Sequence, residues 1–269
     1  MEEIKLEFIE EENIIKKKYG FLPTSVWNLK YDGSYKNFEI NIPKHKNYSG
    51  IKELNDYTFS HFNPAVCKRV IKYWSKKGDT ILDPFMGYGM RGFVAINLGR
   101  NYIGFEISPR TFNCVKQKLN MEKLNNFKNQ MKIILDNGCY LNGVKDNSID
   151  LIFTCPPYWK VEKYENVPGQ LSGCKSYNIF LEFISVCLKN CYRVLKKDKF
   201  MVWVVNDFRI NRQFFPFHRD LLTLAERNRF KIHDIVINVL HNPFKMSPIP
   251  QDKVKITVKM HEYLLVFKK

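Results

Sequence analysis

A short glycine-rich turn, Asp83-Pro-Phe-Met-Gly-Tyr-Gly89, is the first segment whose residues could do chemistry. It follows an apolar segment and precedes one with helical periodicity, so we expect it where a strand passes into a helix. Glycine lets the backbone approach a ligand closely, and open α/β sheets bind ligands at the carboxyl ends of their strands. A carboxylate in the turn does not suit a pyrophosphate. It suits a cationic ligand, such as the sulfonium and ammonium of S-adenosylmethionine.

Two more acidic residues end the next two predicted strands. Glu106 lies 23 residues after Asp83, where an acidic residue can accept from both hydroxyls of a ribose. Asp136 could accept from an adenine amine. The three strand ends together predict a site for an adenosine-containing cofactor, whereas the glycine turn alone would fit a tight strand–helix connection equally well.

The segment Phe153-Thr-Cys-Pro-Pro-Tyr-Trp159 is the second chemical feature. Two prolines cannot continue a central strand, because they donate no ladder hydrogen bond. A proline carbonyl and residue 155 could hold the hydrogens of a poorly nucleophilic exocyclic amine. Tyr158 could stack on a base that is rotated out of its helix. A loop that only ends the strand, with buried aromatic side chains, is the alternative.

Together these motifs resemble those of the DNA amino-methyltransferases, which make N6-methyladenine or N4-methylcytosine. The turn at 83–89 resembles their D-P-F-x-G-x-G cofactor motif, and Cys155-Pro-Pro-Tyr158 resembles their (D/N/S)-P-P-(Y/F/W) catalytic motif. His61-Phe-Asn-Pro64 resembles the segment that borders the methionine end of the cofactor. Phe105-Glu-Ile-Ser108 resembles the ribose-binding strand end. The resemblance is strongest to compact phage enzymes and covers about residues 60–269.

The resemblance implies S-adenosylmethionine as cofactor, DNA as partner, and no metal. The predicted cofactor-binding residues are His61, Asn63, Pro64, Asp83, Pro84, Phe85, Gly87, Gly89, Glu106, Ile107, Asp136 and Asn137. The predicted catalytic residues are Cys155, Pro156, Pro157 and Tyr158, and the predicted substrate-binding residues are Trp159 and Arg209.

Three departures from the family pattern refine the prediction. Residue 155 is Cys where the family has Asp, Asn or Ser; a thiol is a weak acceptor, but it is neutral like Ser. This neutrality and the adjacent Trp159 favour N4 of cytosine over N6 of adenine. Arg91 follows the turn where small hydroxyl residues are usual, and it could pair with the cofactor carboxylate. No long insertion could serve for target recognition. That task could use short stretches, namely the N-terminal arm, the loop at 160–177 and the segment 242–259, or a partner subunit or a homodimer.

Several alternatives stay open. Methylation of an RNA base or of a protein glutamine would use a similar Pro-Pro-aromatic loop. A methyltransferase fold kept as a non-catalytic, nucleic-acid-binding subunit would tolerate the cysteine. Cys155 could also be a covalent nucleophile or a plain buried cysteine, and His218 could carry protons or be structural. Asp207 and Arg209 could pair beside the site or merely at a turn.

The motifs need a scaffold of alternating strands and helices. Apolar strand-like segments begin at about 80, 102, 131, 149, 200, 231 and 262, and helix-like segments separate most of them. Such alternation predicts an α/β fold with a doubly wound, mainly parallel sheet. The resemblance implies a Rossmann-like methyltransferase sheet of seven strands, one of them antiparallel. We expect residues 1–50 to form an arm packed on the body and residues 51–269 to form a single catalytic domain.

Composition narrows the class of protein. The chain has 269 residues, 45% hydrophobic and 26% charged, which excludes disorder as its main state. A net charge of +16 favours a polyanionic partner, although a lysine-rich composition inherited from an AT-rich genome would give the same value. No apolar run approaches the ~18 residues of a membrane span. Seven cysteines without a C-x-x-C motif suit neither disulfides nor zinc, so we expect a cytoplasmic protein.

Overall fold

The computed structural model describes residues 12–30, 62–120, 129–162, 164–240 and 255–269. The strands are β1 (Val26–Trp27), β2 (Thr80–Asp83), β3 (Asn101–Glu106), β4 (Met131–Leu135), β5 (Ile149–Thr154), β6 (Leu195–Val205), β7 (Phe208–Ile210), β8 (Gln213–Phe215), β9 (Lys231–Val239) and β10 (His261–Lys268). The longer helices are α1 (Pro64–Trp74), α2 (Met90–Asn97), α3 (Pro109–Leu119), α4 (Tyr177–Val194) and α5 (Phe217–Arg227). Residues 12–19 are also helical, and Leu171–Gly173 form a short 3₁₀ turn.

The main sheet confirms the predicted α/β class and corrects the predicted number of strands. Its order is β1-β9-β10-β6-β5-β2-β3-β4, which makes eight strands rather than seven. Only β10 runs antiparallel to its neighbours within this sheet. The additional strand is β1, in which Val26 pairs with Ile237 and Trp27 with Asn238. Two residues are too few to show strand periodicity, so β1 could not be predicted from the sequence.

The start of β6 also differs from the prediction. The strand begins at Leu195 rather than at about residue 200, so the lysine-rich segment 196–199 belongs to the strand. Its charges are partly neutralised, since Lys196 and Lys199 form ion pairs with Asp150. A polar strand start looks like a loop when only hydrophobicity is considered.

Local signals explain the elements that carry the site. Asn63 caps α1 by accepting from the backbone N–H of Ala65, and Pro64 occupies the first helical position. Ser108 and Pro109 start α3 in the same way. Every residue of β5 is buried, as expected for a central parallel strand covered on both faces.

Two apolar layers cover the sheet. Helices α1, α2 and α3 pack on one face, where Val70, Phe93 and Val115 are fully buried. Helices α4 and α5 pack on the other face through Phe180, Leu188 and other side chains. Because both faces are covered, the carboxyl edge of the parallel strands is where a ligand site can open.

The described part of the N-terminal arm, residues 12–30, lies against the body. Trp27 is 1% exposed, and its ring lies 6.0 Å from the ring of Trp74 and 5.0 Å from the Arg69 guanidinium. The division into an arm at 1–50 and a domain at 51–269 stays a prediction, because residues 1–11 and 31–61 lie outside the described residues. Within the described ranges, no helix has the length and apolar character to span a membrane.

Removing the Trp27 side chain tests how firmly the arm is attached. We expect Trp27→Ala to lower the free energy of unfolding by about 3–5 kcal/mol, the usual loss for a large buried aromatic. The neighbouring Val26 is 57% exposed, so Val26→Ala should change the free energy of unfolding by less than about 0.5 kcal/mol. Urea denaturation of both variants measures the difference, and equal small losses would contradict the described packing.

Candidate active site

A cleft opens at the carboxyl edge of β2, β3 and β5. It contains about 690 Å³ of empty space, part of it open to solvent. Among the residues predicted to bind the cofactor, those that line it are Pro84, Phe85, Gly87, Glu106, Ile107 and Asn137. Cys155 and Pro157 line it as well; they belong to the predicted catalytic loop, residues 155–159, called the catalytic loop below. The two motifs, which are far apart in the sequence, therefore meet in one cavity.

The two glycines of the turn have different structural roles. Gly87 has a φ of +56°, and a Cβ atom placed there would meet no heavy atom within 4 Å, so its backbone faces open space in the cleft. Gly89 has a φ of +78° and caps α2, and a Cβ there would lie 3.2 Å from the Val115 side chain. Gly87 thus leaves room for a ligand, whereas Gly89 allows the helix to pack.

Asp83 is buried beneath the turn, and its carboxylate is occupied by protein donors. It accepts from Arg91 Nε at 2.6 Å, Tyr102 Oη at 2.8 Å, Thr154 Oγ1 at 2.6 Å and the backbone N–H of Phe85 at 3.1 Å. The side chain is 0% exposed and does not line the cleft. The expectation that this carboxylate faces a cationic ligand is therefore corrected.

The expectation that Arg91 pairs with the cofactor carboxylate is corrected as well. Its guanidinium binds Asp83 and donates from Nη2 to the Phe85 carbonyl at 2.6 Å, so it is not free for a cofactor carboxylate. Burial works against the charged form of Arg91, but the neighbouring Asp83, Tyr102 and Cys155 outweigh it and raise the pKa above its ordinary value. Asp83 and Arg91 form a buried ion pair that ties the turn to α2.

Glu106 lines the cleft at the end of β3. One of its carboxyl oxygens accepts from the backbone N–H of Ser108 at 2.8 Å. Burial raises the pKa of Glu106 to about 7, although backbone N–H groups of Ser108, Gly87 and Ile107 partly offset that effect. The group can therefore change its charge near neutral pH, and it has acceptor capacity left for a ligand.

The catalytic loop leaves β5 at Cys155. Burial raises the pKa of this thiol well above its ordinary value, and the nearby charge of Arg91 only partly counteracts that effect. Cys155 is therefore a neutral thiol, which disfavours its role as a covalent nucleophile. Pro156 is buried, and the half-buried Tyr158 lies edge-on to Phe208 and Phe217 at 5.9 and 6.4 Å between ring centroids.

Neither predicted substrate-binding residue lines the cleft. Trp159 is 8% exposed, donates from Nε1 to the Cys174 carbonyl at 2.8 Å and packs against Phe215. Arg209 is exposed, and its guanidinium lies 4.8 Å from the ring of Phe214. Trp159 is thus part of the core, which corrects its predicted contact with substrate, whereas the exposed Arg209 stays a predicted substrate-binding residue.

Some predicted cofactor residues also lie outside the cleft lining. Asn63 and Pro64 start α1, and Asn63 donates to the Leu29 carbonyl at 3.2 Å. Asp136 accepts from the backbone N–H of Asn137 at 2.7 Å and from Asn142 Nδ2 at 2.9 Å. His61 lies outside the described residues.

Asp207 does not pair with Arg209 as one alternative had it. Its carboxylate binds His218 Nδ1 at 2.6 Å and Lys259 Nζ at 3.1 Å.

One side of the cleft is formed by residues that were not predicted as site residues from the sequence. Tyr164, Gly169, Gln170 and Leu171 line it, all from the loop between β5 and α4, for which the sequence predicts target recognition and no contact with the cofactor. The Glu165 carboxylate attaches this loop to the start of α3, where it accepts from the Ser108 hydroxyl and the Arg110 N–H. No local pattern marks these contacts, because they join segments more than 50 positions apart. The described residues contain no cluster of His, Cys, Asp or Glu suited to a metal ion.

Breaking the buried pair tests its structural role. Asp83→Asn leaves the Arg91 charge buried without its partner, so we expect the free energy of unfolding to fall by about 3–5 kcal/mol. Asp146 forms a solvent-exposed ion pair with Arg193, and Asp146→Asn should cost less than about 1 kcal/mol. Urea denaturation compares the two, and similar losses would show that the Asp83 contacts are not stabilising.

Comparison with known proteins agrees with the geometry. A family model described as DNA methylase matches residues 2–117 and 149–269, and one described as conserved hypothetical protein 95 matches residues 60–178. The type II methyltransferase M.HpaI of Haemophilus parainfluenzae is 27% identical over 132 residues, 40% of this chain and 42% of that protein. M.MjaII, a type II methyltransferase of Methanocaldococcus jannaschii, is 36% identical over 90 residues, 34% of this chain and 16% of that protein. This chain spans less than half the length of both relatives.

Solved structures agree on the fold. A SAM-dependent methyltransferase from Methanosarcina mazei has a TM-score of 0.52 at 15% identity, covering 74% of this chain and 96% of that chain. TrmN from Thermus thermophilus has a TM-score of 0.50 at 12% identity, covering 77% and 49%. The DNA methylase model matches most of the sequence, so the chain belongs to the N6/N4 DNA methylase family, as the two motifs predicted.

Proposed function

We propose that this protein is a DNA methyltransferase that transfers a methyl group from S-adenosylmethionine to the exocyclic amine of a base rotated out of the duplex. The observation that carries the proposal is the shared cleft. Gly87 and Glu106 of the cofactor motifs line it together with Cys155 and Pro157 of the catalytic loop. In a member of the DNA methylase family, this arrangement brings the methyl donor and the acceptor amine to one place.

The cleft fits S-adenosylmethionine, which supplies an electrophilic methyl group when bound. Gly87 leaves open space that a side chain would fill, and Glu106 offers acceptor oxygens to ribose hydroxyls. Phe85 and Ile107 add apolar lining suited to an adenine. Asp83 supports this site from below rather than by contact, and the segment 61–64 remains the proposed border of the methionine end.

N4 of cytosine is the favoured target. The raised pKa keeps Cys155 neutral, so the loop resembles the serine form of the family motif more than the aspartate form. Trp159 no longer contributes to this preference, because its ring lies in the core. The net charge of +16 suits a DNA partner, and the relatives named type II methyltransferases suggest a role in modification of specific sites. Target recognition could use a partner subunit or a homodimer.

Nucleoside mass spectrometry of DNA and RNA from cells that express the protein tests the function. We expect N4-methyldeoxycytidine, absent from cells with Gly87→Leu, whose side chain would project into the cleft. Because a φ of +56° strains any other residue at this position, urea denaturation must show that the variant is folded. Asp83→Ala is a poor control, since it would unpair a buried charge and disturb folding.

Other products would change the proposal in defined ways. N6-methyldeoxyadenosine would keep the enzyme class and overturn the base preference. A methylated ribonucleoside would favour RNA. Cofactor binding without any new mark would favour the non-catalytic role.

The pKa of Glu106 predicts how cofactor binding depends on pH. Ribose hydroxyls donate to the ionised carboxylate, and a pKa raised to about 7 leaves most of the groups protonated at lower pH. The ionised fraction rises roughly tenfold between about pH 6 and pH 8, so affinity for S-adenosylmethionine should rise by about that factor. Isothermal calorimetry measures it, and Glu106→Gln should bind more weakly with a flatter profile. A wild-type affinity that falls with pH would contradict this role of Glu106.

A further inference from the structure

A second carboxyl group, Glu262, lies at the same edge of the sheet as the catalytic loop, on the other side of β5 from Glu106. In the sheet order, β10 carries Glu262 two strands to one side of β5, and β3 carries Glu106 two strands to the other. Tyr263 pairs with Val205, the last residue of β6, so Glu262 stands just beyond the end of that strand. Glu262 is therefore at the carboxyl edge, where the catalytic loop begins.

Glu262 and Cys155 emerge on the same face of the sheet. Leu264 and Phe153 both belong to the core layer covered by α1 and α2, and Cys155 packs against that layer. Side chains alternate along a strand, so residues two positions from Leu264 and Phe153 return to that face. The Glu262 carboxyl and the Cys155 thiol thus share one face at one edge.

Electrostatics agree with this placement. Burial is the largest cause of the raised pKa values of Cys155 and Tyr158, and the charge of Glu262 adds to both. The same charge also raises the pKa of Cys67 of α1. The charge of Glu262 thus reaches the thiol and the tyrosine of the loop, in agreement with the shared face and edge.

The carboxyl is held in position but keeps acceptor capacity. It accepts from Asn238 Nδ2 at 2.9 Å, and Asn238 is 2% exposed with its Oδ1 unpartnered. The ion pairs of the described residues supply Glu262 with no cation. Burial raises the pKa of Glu262, and the Asn238 contact partly offsets that effect. A half-buried carboxyl group without a cationic partner lowers the stability of the fold. A functional role would explain why Glu262 is present at this position.

We propose that Glu262 is a catalytic residue that accepts a hydrogen bond from the target amine and then takes the proton that this amine loses. The inference rests on the proposed function. The family motif places Asp, Asn or Ser at the position of Cys155, and a thiol is a weaker acceptor than any of these. Glu262 supplies from β10 the strong acceptor that the loop itself does not carry.

The step balances without a further reactant. The amine nitrogen forms a bond to the methyl carbon, and the methyl–sulfur bond breaks with its electron pair left on sulfur. The nitrogen then carries a positive charge and releases one proton to the Glu262 carboxylate, which passes it to solvent. A hydrogen bond to the carboxylate beforehand increases electron density on the nitrogen and so assists the attack.

Glu262→Gln tests this role, because it removes the charge and keeps the shape and the Asn238 contact. Single-turnover methylation of a DNA that the wild type modifies should slow by about ten- to a hundredfold, the effect of losing a hydrogen bond to a charged acceptor. Calorimetric affinities for S-adenosylmethionine and for DNA should stay within about twofold of wild type, as expected when only the reaction step changes. Glu182→Gln, on the exposed face of α4, is the matched control and should behave as wild type.

Other outcomes separate the possibilities. A wild-type rate in Glu262→Gln would overturn the inference, and so would a loss of cofactor affinity above about tenfold, which would place the carboxylate on the cofactor. If the glutamine variant unfolds, Glu262→Asp keeps the charge but withdraws it by one methylene, and a wild-type rate there would also overturn the inference. A wild-type protein that binds the cofactor and methylates no nucleic acid would overturn the proposed function and this role with it.

Discussion

The carboxylate of Asp83 joins four elements at the point where the cleft opens. It receives hydrogen bonds from Arg91 of α2, Tyr102 of β3 and Thr154 of β5, while its own strand, β2, leads into the glycine turn. A charge that is 0% exposed must be fully paired, because an uncompensated buried charge costs several kcal/mol. The strand ends therefore keep the register in which the turn and the catalytic loop face the same space. The geometry of the site depends on this one buried group.

Because the Asp83 carboxylate is fully occupied by protein donors, the proposed ligand contacts depend on other carboxyl groups. Glu106 and Glu262 stand two strands to either side of β5, and burial raises the pKa of both. Between them lies the neutral thiol of Cys155. A positively charged methyl donor entering this edge would favour the ionised form of each carboxyl, so the donor and the site would stabilise each other's charge. Two carboxyl groups that can ionise when the donor binds thus suit a positively charged ligand, although neither need be charged beforehand.

Signals that are local in the sequence predicted the structure well. The start of α3 follows from Ser108 and Pro109, a cap and a first-turn proline, and β2 follows from a short apolar run before the glycine turn. Contacts between distant segments could not be predicted. Asp83 meets Thr154 across 71 positions, and the loop that carries Tyr164 and Gly169 closes the cleft with no pattern of its own. The strand β1 was missed because two residues carry no periodicity.

A motif match predicts where a residue lies in the fold more reliably than what its side chain does, as Asp83, Cys155 and Glu262 illustrate. The first residue of the turn motif has the expected identity, yet its carboxylate faces inward to Arg91. The first residue of the loop motif departs from the family, yet a carboxyl from β10 stands on the same face of the sheet. What the chemistry requires is an acceptor near the amine, and strand order decides which residues can supply one. A substitution at one position of a motif is therefore best judged against the side chains that the fold brings to the same edge.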